Sequence, residues 1–409
     1  MSTSNATTVH RPLATDYEEL KPLIALCKAG RLFDVQDWIA AGKPIDLVPV
    51  DERNGGGPQS PLRVAVEVRF HSLVEVLLKA GARVSPRSVF SPIRSLILDC
   101  ELDLVKLFVE NGTDPREVSM HDVLESWHPA MMSYFIDRGA DVETQNPFAY
   151  AFIQKVRTAL GPFKRLLAIK PALIEQADIA LRYHCKHGSL KWVALMLWLG
   201  ADPCKPGAYE YWDRSGEYED NYSALELAAI NNHFDIFKLK AIPFEAANTA
   251  LSKSLVHCCT QEGLPMLRRL LKSGVNPNKS ENGGSSAIFW CISMISWPDS
   301  FADWHKTKLE KRESHRADES IAALEVLAEY GAKWVPYRNV NDERRSLMKV
   351  PEHYTIEFVR IMAKYKTCEF EVIKSLLKSP TMKRHLGMEY DKLKPLLAKW
   401  EKESTTIAK

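Results

Sequence analysis

Apolar positions along this chain return in short helical stripes, each closed by a small or turn residue. In Phe70-His71-Ser72-Leu73-Val74-Glu75-Val76-Leu77-Leu78-Lys79-Ala80-Gly81-Ala82, the residues Leu73, Val74, Leu77 and Leu78 share one helical face, and Gly-Ala ends the run. Lys186-His187-Gly188-Ser189-Leu190-Lys191-Trp192-Val193, continuing through Leu195, Leu197 and Leu199 to Gly200-Ala201-Asp202-Pro203, is nearly the same phrase. Further copies lead to Ala41-Gly42, Asn111-Gly112, Gly139-Ala140, Gly274-Val275 and Gly331-Ala332. The glycine stands where a helix ends in a left-handed residue, a conformation that glycine adopts without a Cβ penalty. A second helix precedes several copies, opened by Ser60-Pro61-Leu62, Ser91-Pro92-Ile93 or Ser223-Ala224-Leu225. Ser before Pro predicts an N-cap followed by a residue whose φ is already helical. Two-helix phrases recurring at such a period predict stacked repeats.

The pattern resembles the ankyrin repeat, whose first helix reads Thr-Pro-Leu-His-x-Ala and whose second helix runs through Val-x-x-Leu-Leu to Gly-Ala-Asp. The resemblance covers roughly residues 20 to 335, at a spacing of about 30 residues where no insertion intervenes. It implies an all-α fold, a solenoid of about nine or ten helix-turn-helix units with a helical C-terminal cap. Units are expected to begin near Leu20, Ser60, Ser91, Met120, Asn146, Ala177, Tyr222, Asn248 and Ser286. No copy keeps the motif's Thr and His together, residues 120–142 keep only its second half, and residues 146–176 lose the Gly-Ala. Such divergence points to a specialised natural array of bacterial type.

The expected organisation is a disordered tail over 1–16, the repeat array over 17–336 and the cap over 337–409. From residue 341 onward the cap carries fifteen Lys or Arg against ten Asp or Glu, and its main reading is a solvated helical face. Three insertions break the period, at 46–60, 206–221 and 297–318. Long excursions cost little stability and are often functional. The first two fall between units, the position of the projecting finger in an ankyrin array. The third separates the two helices of one unit and is expected on the opposite edge.

Composition changes this picture little. The chain has 409 residues, 45% hydrophobic and 26% charged, with a formal net charge of +2. That is ordinary globular composition, and without a long basic block it argues against nucleic acid as a partner. The polar N-terminal residues show no signal-peptide pattern and no stretch has the length and apolarity of a membrane span, so the expected localisation is cytoplasmic. Eight cysteines lie scattered without C-x-x-C pairing, and most read as small buried hydrophobes in a reducing compartment.

The middle insertion reads Gly207-Ala208-Tyr209-Glu210-Tyr211-Trp212-Asp213-Arg214-Ser215-Gly216-Glu217-Tyr218-Glu219-Asp220-Asn221-Tyr222. Tyr and Trp offer large, rigid, half-polar contact area, and the interleaved acids favour a basic surface. Tyr209, Tyr211, Trp212, Asp213, Tyr218, Glu219 and Tyr222 are therefore the expected partner-binding residues. The alternative is a long hairpin whose aromatics fold back onto neighbouring units. Trp297, Phe301 and Trp304 form a second candidate, against a reading as a solvated insertion. His184, Cys185 and His187, like His257, Cys258 and Cys259, lack zinc-finger spacing and read as turn and core chemistry. His187, before the Gly188 turn, is placed to bridge neighbouring loops.

Asn54-Gly55-Gly56-Gly57 and Asn282-Gly283-Gly284-Ser285 lack the Lys-Ser/Thr of a phosphate loop, and no G-x-S-x-G, H-E-x-x-H or kinase motif occurs. No catalytic residue, metal or cofactor is expected. Glu352, His353 and Tyr354 are the clustered polar residues an enzymatic C-terminal region would have to use. The expected function is a non-enzymatic scaffold or adaptor that binds another protein, one bearing a basic patch, through the groove of first helices and fingers that the resemblance implies, extended by the aromatic and acidic finger around Trp212. The alternative within the same mechanism is an effector or inhibitor that neutralises a foreign or toxin protein.

Overall fold

Ser60 shows how a repeat begins. Its Oγ accepts the Arg63 amide at 3.1 Å, Pro61 supplies the first helical φ, and the helix Pro61–Glu67 follows. Ser223 goes further. The Glu226 amide donates to its Oγ at 3.3 Å while the Ser223 amide donates to Glu226 Oε2 at 2.9 Å, a reciprocal capping box. Ser91 departs from the expected cap: its side chain is buried and bonds no helix amide, so Pro92 alone sets the entry there.

The structure, a computed structural model, describes residues 12–47, 60–84, 91–209, 222–242, 249–279, 286–296, 316–334, 352–378, 384, 386–387 and 390–407. Helix pairs run along these segments, without a strand among the described residues beyond an isolated parallel bridge between Ala14 and Leu47. The pairs are α1 (Lys21–Lys28) with α2 (Leu32–Ala40), α3 (Pro61–Glu67) with α4 (His71–Lys79), and α5 (Pro92–Leu98) with α6 (Leu102–Glu110). They continue as α7 (Met120–Glu125) with α8 (Pro129–Asp137), α9 (Pro147–Ile153) with α10 (Leu160–Leu167), and α11 (Ile174–Lys186) with α12 (Leu190–Leu199). Next come α13 (Ala224–Ile230) with a 3-10 turn (Phe234–Lys238), α14 (Thr249–His257) with α15 (Leu264–Lys272), and α16 (Ala287–Ser296) with α17 (Arg316–Glu329). The cap holds α18 (Glu352–Tyr365), α19 (Phe370–Leu377) and α20 (Tyr390–Ile407). Two compact bodies divide the chain, Met1–Ala177 and Asp178–Lys409.

A left-handed residue closes the first helix of seven successive repeats. Gly30, Arg69, Cys100, Trp127, Lys155, Gly188 and Asn232 have φ from 56° to 67°. After Arg69, the Phe70 amide reaches back to the Ala65 carbonyl and Arg69's own amide to Val66, the Schellman pattern that satisfies the last carbonyls of a helix. Five of the seven are not glycine, at a cost of about 1–2 kcal/mol each. The second helices end the same way on Gly42, Gly81, Gly112, Gly139, Gly200, Gly274 and Gly331.

Packing follows the stripes. In the N-terminal body the rings of Phe148 and Phe152 each lie 5.0 Å from that of Phe163, all three fully buried. Gln176, also buried, accepts the Phe148 amide at 2.8 Å and donates to the Val142 carbonyl at 2.8 Å, fixing the loop before α9. In the C-terminal body the cap joins the last repeat through the Trp334 amide on the Thr367 carbonyl at 2.7 Å and through Arg360 on Glu325 at 3.3 Å.

Candidate functional site

The base of the middle insertion is held by charged side chains of α11. Arg182, on α11, is 0% exposed; its Nε donates to the Ala208 carbonyl at 2.5 Å and one terminal nitrogen to the Lys205 carbonyl at 3.2 Å. Burying a guanidinium is costly unless its donors are used, and here they grip the outgoing chain. Gly207 permits the grip, since a Cβ there would stand 2.9 Å from the guanidinium carbon. The Gly207 amide reaches the Tyr222 carbonyl at 3.3 Å, joining the outgoing and returning chain at the insertion's root.

One helical turn before Arg182 and on the same face, buried Asp178 accepts the Asp202 amide at 2.8 Å and the Lys205 ammonium at 3.3 Å. Asp202 in turn accepts the Cys204 amide at 2.8 Å. Residues 202–208 are thus tied to α11 at several points. Tyr209 follows directly, half-buried, with Lys186 Nζ 3.8 Å from its ring centroid. On the return, Tyr222 meets His257 edge-on at 6.2 Å, and Ser223 enters the capping box of α13. Two aromatics therefore flank the root, one over α11 and one against α14.

Of the residues singled out in the sequence, Tyr209 and Tyr222 lie at this root. Tyr211, Trp212, Asp213, Tyr218 and Glu219 lie outside the described residues, as do Trp297, Phe301 and Trp304 and the glycine-rich stretches at 54–57 and 282–285. Arg182, Asp178, Lys186 and Gly207 are the residues of this root that the sequence did not single out as site residues. The available signal was Asp and Arg four apart on a first helix that precedes a Pro-Gly excursion.

Among the described residues, the contacts of His187 fall on Tyr183 and not on a neighbouring loop. Its ring stacks on Tyr183 at 4.2 Å, with Nδ1 2.8 Å from Tyr183's own carbonyl oxygen, because His187 follows the last residue of α11 four positions after Tyr183. His233, from the next repeat, occupies the space over Gly188 instead. His184 stacks on Trp192 within the core. No group of three or more His, Cys, Asp or Glu among the described residues is arranged to hold a metal ion. Burial pushes the Cys27 and Cys368 thiols up to about 12. In the cap, Tyr354 is pushed up to about 12, first by burial and then by its hydrogen bond to Asp318.

These helix pairs, with left-handed turns at the ends of first and second helices, define an all-α protein of two-helix repeats. Among solved structures, the ankyrin repeat domain of Bcl-3, a unique member of the IkappaB protein family, is similar to it at 15% identity. That match covers 66% of this chain and 93% of the other, with a TM-score of 0.30. No family model and no curated protein matches the chain. No helix among the described residues is long and apolar enough to cross a membrane.

Proposed function

We propose that this protein is a non-enzymatic scaffold that binds another protein through the insertion at 206–221 and the adjoining face of α11 and α14. The observation that supports the reading is the buried Arg182, which donates to the Ala208 carbonyl in the insertion and to the Lys205 carbonyl just before it. A solvated loop needs no such anchor. A loop that must present Tyr211, Trp212 and Tyr218 at a fixed place does, because preorganisation lowers the entropy cost of binding.

Glu210, Asp213, Glu217, Glu219 and Asp220 supply five carboxylates to the insertion, so the fitting partner offers a basic patch around an aromatic-accepting pocket. Affinity capture with the wild-type chain, against a chain in which residues 210–221 are replaced by a short Gly-Ser linker, tests this reading. A partner retained by the first and lost by the second supports it; a partner retained by both refutes it.

A further inference from the structure

Two cysteines far apart in sequence meet across the interface between the eighth and ninth repeats. Cys291 sits on the buried stripe of α16, between Ile288 and Ile292, and is 1% exposed. Cys259 follows the end of α14 and is half-buried. The two helices pack on each other, and the thiols of Cys291 and Cys259 are hydrogen-bonded together.

The turn after α14 fixes Cys259. Its own thiol donates to the Leu255 carbonyl at 3.1 Å, and its amide reaches the Val256 carbonyl at 3.4 Å. Gly263 closes the turn tightly: a Cβ there would stand 2.5 Å from the Cys258 carbonyl oxygen, and its amide returns to the Thr260 carbonyl at 3.0 Å. A thiol carries a single proton. With that of Cys259 given to Leu255, Cys291 is the donor within the pair, and its proton faces the sulfur of Cys259.

The two sulfurs differ in reach. The bond to Cys259, and then burial, push the Cys291 thiol well up, so it stays protonated and sheltered from solutes. Cys259 is the member with exposed surface, which an oxidant meets first. A reachable thiol with a second thiol already against it is the arrangement in which one sulfur is oxidised and the other resolves it. Cys258 is a poorer resolving residue. Adjacent Cα atoms stand about 3.8 Å apart, closer than a disulfide ordinarily spans.

We propose that Cys259 and Cys291 form a site of reversible oxidation by peroxide, closing a disulfide that ties α16 to the end of α14 and holds the ninth repeat on the eighth. The Cys259 thiolate attacks the O–O bond of hydrogen peroxide and becomes a sulfenic acid, while the departing hydroxide takes up the proton the thiol released and leaves as water. The Cys291 sulfur then attacks the Cys259 sulfur. The S–O bond breaks, and the Cys291 proton leaves with the hydroxyl as a second water. Two thiols lose two electrons and one peroxide gains them; a dithiol reverses the change by exchange. The site does not depend on the insertion at 206–221.

Treating the full reduced chain with hydrogen peroxide, then mapping its peptides under denaturing, non-reducing conditions, tests the proposal. Wild type is expected to lose the Cys259 and Cys291 thiols together, with their peptides joined within one chain, and dithiothreitol should restore both. Cys258→Ser should keep the link and Cys259→Ser should abolish it. Cys291→Ser should halt Cys259 at the sulfenic acid, which dimedone labels. Amides of α16 should exchange more slowly in the linked chain than in the reduced one. Survival of both thiols until the other cysteines have oxidised overturns the proposal, as does a link from Cys259 to Cys258 or to a second chain. Unchanged exchange in α16 after linking also overturns it. The map and the exchange are read on wild type, so they decide the matter even where a variant fails to fold.

Discussion

Arg182 and Ala208 are joined by a 2.5 Å hydrogen bond from a guanidinium with no exposed surface to a carbonyl at the root of the middle insertion. A charge inside a helical repeat is ordinarily a liability, relieved only when its donors are satisfied. Here the acceptors include the Lys205 and Ala208 carbonyls, so one side chain ties α11 to the root of the insertion. Together with Asp178 on the Asp202 amide, it makes residues 202–208 an extension of α11.

Gly207→Ala tests that dependence without removing any polar group. The added Cβ would stand 2.9 Å from the guanidinium carbon of a fully buried side chain, which must shift. A loss of about 1–3 kcal/mol is expected by urea unfolding, the range typical of overpacking. Hydrogen exchange at the residue 207 amide should rise in parallel, since its bond to the Tyr222 carbonyl closes the root.

The left-handed turn positions make a paired prediction with opposite signs. Lys155 is exposed at φ 64°, so Lys155→Gly should stabilise the chain by about 0.5–1 kcal/mol through relief of the Cβ strain. Gly188 has φ 67°, and a Cβ there would stand 2.6 Å from the His233 ring. Gly188→Ala should therefore destabilise by more than about 1 kcal/mol. Thermal melts of the two variants beside wild type check both signs.

The contrast between those residues explains what was legible in the sequence. Where glycine holds the turn, as at Gly30, Gly188 and Gly200, the missing side chain announces the left-handed backbone, and the two-helix units read off directly. Arg69, Cys100, Trp127 and Lys155 adopt the same conformation under tertiary constraint, with no composition to signal it. The seventh repeat shows the same limit: its apolar residues Phe234, Ile236 and Phe237 form a 3-10 turn in place of a second α-helix. Arg182 was illegible for another reason. An Asp and an Arg four apart on a helix read as a surface ion pair, and nothing local reveals that both face inward onto a loop more than twenty residues away. At the root of the insertion, Tyr209 and Tyr222 were singled out in the sequence and the side chains of α11 that hold the segment were not.

Asp46 predicts a pH dependence of the N-terminal body. Its side chain is buried and accepts the Arg83 amide at 2.8 Å, and burial outweighs that bond, raising its pKa to about 6. A carboxyl raised in the folded state binds its proton more tightly there than in the unfolded chain. Its stabilising contribution is therefore complete below the unfolded pKa near 4 and is lost as pH rises through about 6. Asp46→Asn keeps the acceptor and removes the titration. The variant should match wild type near pH 4 and exceed it by roughly 2–3 kcal/mol above pH 7. Denaturant titrations at both pH values check this; a variant less stable than wild type at the higher pH would contradict it.

The central claim, that the anchored insertion binds a partner, is tested most directly by Tyr211→Ala combined with Trp212→Ala, measuring melting temperature and partner affinity on the same preparation. The account predicts a melting temperature almost unchanged and an affinity reduced by about 2 kcal/mol or more, as for aromatic hot spots. An unchanged affinity would contradict it. So would a markedly lower melting temperature, which would make the two aromatics part of the core.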